Sequence, residues 1–124
     1  MRFPSRHRLR TGAEFEATFK RGARLDGRLF LLVAAPNGQA FDRLGLAVSR
    51  KVGGSVLRNR ARRLLRESFR RLPPPGGPGV DLVLVARPTL VERGQAEVDR
   101  ELRERVLRIK RPAPGAGAPP PPAR

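Results

Sequence analysis

Residues 80–86, VDLVLVA, constrain the fold of this chain more than any other stretch. Apolar side chains stand there at neighbouring positions, so a strand formed by them needs cover on both faces. The segment reads as a central strand, closed by Arg87–Pro88, because the residue before a proline disfavours continuation. Two earlier runs can pair with it. GRLFLLVAAP, residues 27–36, reads as a strand ending at Pro36. DRLGLAVSRK, residues 42–51, alternates, with Leu44, Leu46 and Val48 on one face. Between them, NGQAF carries Asn37–Gly38, a hairpin signal. Residues 23–26 could add a short first strand.

Three helices accompany these strands. TGAEFEATFKRG, residues 11–22, opens with a capping-box pattern at Thr11 and Glu14 and stops at Gly22. Phe15 and Phe19 share one face of it; from spacing alone such a pair is first of all core. Ser55 is a candidate N-cap for a helix over residues 56–71, which LPPPGGPG ends. A third helix spans about residues 95–110, with Val98, Leu102, Val106 and Ile109 as its apolar stripe. Its acids come early and its bases late, which suits the helix dipole. It reads as structural cover.

The order helix, strands, helix, strand, helix implies an α/β (α+β) two-layer sandwich with one sheet. Length fits a single domain, expected over residues 9–111. A basic arm, residues 1–8, precedes it, and PAPGAGAPPPPAR, residues 112–124, follows as a disordered tail.

Function is written most densely in VLRNRARRLLRESFRR, residues 56–71, with seven arginines in sixteen residues. On a helix at about 100° per residue, Leu57, Ala61, Leu64, Leu65, Ser68 and Leu72 fall in one arc. Asn59, Arg62, Arg63, Arg66 and Arg70 fall opposite, with Arg58 and Arg60 on the borders. Residues 50–71 hold nine basic residues and one acid, half of the net charge of +16. A solvated helix face usually mixes signs, since like charges one turn apart repel. A membrane helix needs a free apolar face, whereas the flanking strands claim this one. The remaining reading is a grip on a polyanion. Arginine, which supplies 24 of the 27 basic residues, presents a planar fork that matches phosphate. No zinc finger, zipper or clear helix-turn-helix appears, which favours structured RNA over DNA.

Other classes find little support. Cysteine is absent and His7 is the only histidine, so the usual zinc sites cannot form. There is no nucleophile–base set, no convincing carboxylate pair and no phosphate loop; KVGGS is not one. The longest apolar run, LFLLVAAP, falls far short of a bilayer span. No secretion signal is evident, and the expected location is cytoplasmic.

The stretch GLAVSRKVGGSVLRNRARRLLRESFR, residues 45–70, with RLRTGAEFEATFKRG at 8–22 and DLVLVAR at 81–87, resembles the bacterial ribonuclease P protein component in collinear order. Its core is Arg58-Asn59-Arg60 followed by Arg63, Leu64, Arg66 and Glu67. The resemblance implies the accessory subunit of a ribonucleoprotein that removes the 5′ leader from precursor tRNA. The RNA subunit is the catalyst and holds Mg²⁺, so no catalytic residue or metal ligand is expected in the protein. It implies a mainly antiparallel four-stranded sheet with a left-handed βαβ crossover. Carried over, Arg50, Lys51, Arg58, Asn59, Arg60, Arg62, Arg63, Arg66 and Arg70 would bind the catalytic RNA. Phe15, Phe19, Phe30, Leu31 and Val33 would line a cleft for the leader, or the core wall behind it. Val33 stands where many members carry tyrosine, which implies weaker stacking there. The expected partners are that RNA and the precursor leader, with no membrane and no obligate protein partner. A ribosomal or general RNA-binding module with the same basic helix is the alternative.

Overall fold

The computed structural model describes residues 12–72 and 79–109. The segment apolar on both faces forms β4 (Val80–Ala86), and it is internal. The sheet runs in the order β1 (Ala23–Asp26), β2 (Phe30–Pro36), β4, β3 (Arg43–Ala47). β4 pairs antiparallel with β2 and parallel with β3, and β1 pairs antiparallel with β2. The sheet is therefore mixed and mostly antiparallel. Three helices complete the fold: α1 (Gly12–Arg21), α2 (Ser55–Arg70) and α3 (Gln95–Ile109). Single 3-10 turns lie at Arg50–Val52 and Pro88–Glu92.

Side-chain alternation sorts the strands onto two faces. Phe30, Leu32, Ala34, Leu44, Leu82 and Leu84 look toward α2 and α3, where Leu64, Leu65, Val98 and Leu102 complete the main core. Leu31, Val33, Val83 and Val85 look the other way and pack with Phe15 and Phe19 of α1. The apolar arc read from the sequence matches the buried face of α2 at Ala61, Leu64, Leu65 and Ser68. Leu57, at the N-terminal end of that arc, is exposed instead.

Two local expectations are corrected. Asn37–Gly38 does form a turn, with Gly38 at φ 71°, in the left-handed region that glycine tolerates. It does not close a hairpin, because β4 inserts between β2 and β3. Asn37 instead folds the turn onto itself and onto β4, its Nδ2 donating to the Phe41 carbonyl and to Asp81 Oδ1. The sequence at the turn carries no mark of a strand that begins only at Val80. The N-cap of α2 is Gly54, with no side-chain cap, and not Ser55; Ser49 caps the preceding 3-10 turn by accepting from the Lys51 N–H. Thr11, the arm, most of the proline-rich connector, Lys110 and the tail lie outside the described residues.

Buried polar groups tie the elements. Glu101 of α3 is 7% exposed and accepts from the Leu29 N–H at 2.9 Å, holding the β1–β2 turn. Asp42 accepts from Val80 N–H at 2.9 Å. Gln95 Nε2 donates to the Leu64 carbonyl, Ser68 Oγ and Asp99 Oδ1, so one amide stitches α3 to α2. Such satisfied networks fix one packing of two helices that apolar contact alone would let slide.

Candidate nucleic-acid interface

The arginines of α2 separate into three groups. Arg63 and Arg66 are exposed and form no hydrogen bond or ion pair among the described residues. Arg62 joins them on that face, steadied by donating to Asn59 Oδ1 at 3.0 Å. Arg50 and Lys51 are exposed on the 3-10 turn just before the helix. This is the open, positively charged part of the element.

Arg58 and Arg60 behave differently. The Nε of Arg60 donates to the Val91 carbonyl at 3.1 Å and its Nη2 to the Arg93 carbonyl at 3.3 Å. The sequence reading placed Arg60 in the RNA grip; the structure commits two of its donors to the 3-10 turn after β4. Arg58 is half-buried, and its Nε is shielded without a hydrogen-bond partner among the described residues. At the far end of α2 the charge is compensated. Arg70 binds Glu67 through Nε at 3.2 Å and Nη2 at 2.6 Å. This hydrogen bond raises the Arg70 pKa and holds the Glu67 carboxyl below its usual range. Arg71 pairs with Asp99 at 3.0 Å and with Glu67 at 3.5 Å. The uncompensated charge thus runs from Arg50 to Arg66 and ends where Glu67 pairs with Arg70 and Arg71.

The second feature is a half-open apolar surface under α1. Phe15, Phe19, Leu31 and Val85 are half-buried around Val33 and Val83, each 0% exposed. Gly22 makes this contact possible. A side chain there would collide with the Thr18 carbonyl and a Val33 methyl group, so glycine lets α1 turn directly onto β2. Arg43 fixes the other end of α1. It grips Asp81 through Nε and Nη2 at 2.8 and 2.7 Å and reaches Glu14 of α1 at 3.1 Å. The Asp81 hydrogen bond raises the Arg43 pKa against the opposing effect of burial.

Four of the five residues expected to line a cleft meet here. Phe30 does not. It lies on the opposite face of β2, 0% exposed, inside the main core. Strand alternation sends residues 30 and 31 to opposite sides, so both could not serve one cleft. Val33 forms the closed floor and offers no accessible surface. Sequence reading passed over Arg24. Its guanidinium carbon lies 5.7 Å from the centre of the Phe19 ring. The two lie five residues apart across the turn at Gly22, one on a helix and one on a strand, so neither helical nor strand spacing pairs them.

The ribonuclease P family model covers residues 3–110. This chain belongs to the ribonuclease P protein family. The ribonuclease P protein component of Brevibacillus brevis is 37% identical over 105 residues, spanning 84% of this chain and 83% of that protein. That of Roseiflexus castenholzii is 41% identical over 87 residues, spanning 69% of this chain and 71% of its own. Among solved structures, the RNase P protein from Thermotoga maritima superposes with a TM-score of 0.72 at 33% identity, covering 83% of this chain and 97% of that one. The RNase P protein of Staphylococcus aureus gives 0.69 at 29% identity, covering 83% and 94%.

Membership makes the chain a ribonuclease P protein component, a subunit of a tRNA-processing ribonucleoprotein endoribonuclease, and implies association with RNase P RNA. Among the described residues, no three His, Asp or Glu side chains gather to hold a metal ion. No helix among the described residues is long and apolar enough to cross a membrane.

Proposed function

We propose that this subunit holds the catalytic RNA with the open arginine face of α2 and lays the precursor leader along the apolar surface under α1. It acts in the cytoplasm as one RNA-binding domain over residues 9–111. The observation that carries the reading is the coexistence of these two surfaces: uncompensated guanidinium groups at Arg62, Arg63 and Arg66, and half-buried rings at Phe15 and Phe19. The first suits a folded polyanion. The second suits unstacked bases, which settle on aromatic faces with little regard to sequence. Arg50 and Lys51 extend the grip ahead of α2, and Asn59 offers an amide to a base edge or ribose. Arg60 contributes mainly by fixing the turn at Pro88–Glu92, and Arg70 acts through what Glu67 leaves free.

Cleavage stays with the RNA and its Mg²⁺. By neutralising phosphates, the protein lowers the concentration of divalent cation needed to assemble RNA and substrate. The test is cleavage of precursor tRNA by the cognate RNA subunit, with and without this chain, across a Mg²⁺ titration. Addition of the protein is expected to move the requirement to lower Mg²⁺. An unchanged profile sinks the reading.

A further inference from the structure

We propose that Arg24 grips a backbone phosphate of the leader strand, next to the nucleotide stacked on Phe19. This deepens the leader reading above and rests on it. In the β1–β2 register Arg24 lies opposite Val33, and directly opposed residues of an antiparallel pair share a face. Arg24 is therefore on the α1 side, beside the floor of the apolar surface. Its guanidinium stands over Phe19 at 5.7 Å from the ring centre, within cation–π range. The ring limits the orientations of the side chain, which lowers the entropy cost of using it.

Its donors are uncommitted. Arg24 is exposed on an edge strand and forms no hydrogen bond or ion pair among the described residues. The acid two positions on, Asp26, is engaged by the Arg87 guanidinium. The neighbouring Arg21, by contrast, has Nη2 on the Pro36 carbonyl. A full positive charge with a free fork, positioned by a ring that can itself carry a base, matches a nucleotide's two halves. The base takes the ring and the phosphate takes the fork. A phosphate contact positions the strand without reading its sequence.

The experiment uses the reconstituted holoenzyme and two substrates, precursor tRNA and leaderless tRNA. Arg24→Ala is expected to weaken the precursor about tenfold, the loss typical of one charge-assisted hydrogen bond, and to leave the leaderless tRNA unchanged. The slope of log affinity against log salt should fall by about 0.7, as for one single-strand phosphate. The loss should be equal across leaders of different sequence. Arg24→Lys should recover part of it, and Arg24→Gln should behave as the alanine variant. A neutral methylphosphonate at the contacted leader linkage should abolish the difference between wild type and Arg24→Ala. If Phe19→Ala weakens the precursor selectively while Arg24→Ala does not, the leader surface stands and this inference falls. If neither variant separates the two substrates, the leader reading falls and takes the inference with it. A loss that follows base identity overturns the phosphate assignment.

Discussion

Phe30 and Leu32 on one face of β2 are sealed, each 0% exposed, whereas Leu31 on the other face stays half-buried. The strands are shared and the cover differs. α2 and α3, of 16 and 15 residues, close the first face, and α1, of 10 residues, spans only part of the second. A sheet apolar on both sides with unequal cover has its closed core and its half-open apolar surface back to back. The closed face should then govern stability, and the open face should govern substrate affinity.

The strongest way to break that division is Leu65→Ala. Leu65 is 0% exposed between α2 and the sheet, and truncation at such a site costs about 2–5 kcal/mol. Denaturant unfolding should show this loss, while the variant that remains folded keeps the wild-type ratio of precursor to leaderless affinity. A changed ratio would mean that the two faces are coupled.

Next in size is Arg43→Met. Asp81 is 4% exposed, and losing its bidentate partner leaves a nearly buried carboxylate with Asn37 as its one side-chain partner among the described residues. Outright removal of one member of a buried pair is strongly destabilising. Arg43 itself is partly solvated, its side chain 24% exposed, so about 2–3 kcal/mol is expected here. Because Arg43 also reaches Glu14, precursor affinity should fall with stability. A loss of stability without any change in precursor affinity would show that α1 is placed without this tether.

Such couplings mark the limit of what the sequence discloses. The central position of β4 was legible because VDLVLVA has no polar face. The buried arc of α2 was legible because helical spacing is local. Asn37–Gly38 misled because a hairpin signal cannot report an inserted strand. The role of Arg60 was hidden because its acceptors, the carbonyls of residues 91 and 93, are 31 and 33 residues away. The resemblance grouped Phe30 with Leu31 and Val33 as cleft or core wall, and alternation alone puts Phe30 on the core side. For the interface, chain-local reading found the charge and the rings but not which guanidinium groups the fold leaves free.

Phe15→Ala tests the open face directly. The ring is half-buried in the smaller cluster, so truncation should cost less stability than Leu65→Ala. Precursor affinity should weaken by about 1–3 kcal/mol, the range for one stacked base, with leaderless affinity unchanged. Equal loss for both substrates would make the ring a packing group only.

The smallest effect concerns the α2–α3 seam of the closed face. Burial pushes the Asp99 carboxyl up, but hydrogen bonds from Ser68, Gln95 and Arg71 outweigh it and hold the group below its ordinary value. The folded state thus binds this proton less readily than the unfolded chain does. Its contribution to stability is full above the unfolded value of about 3.9 and is lost as pH falls through the folded one. Asp99→Asn should cost about 1 kcal/mol at pH 7, the scale of a few exchanged hydrogen bonds. The gap to wild type should shrink as the pH is lowered below about 4. Urea unfolding at neutral and acid pH measures it. Glu67→Gln is the matched comparison: Glu67 is also held low, by Arg70, but it sits in solvent at the helix surface and should shift stability less. A pH-independent gap for Asp99→Asn would show that the seam depends on the shape of the side chain and not on its charge.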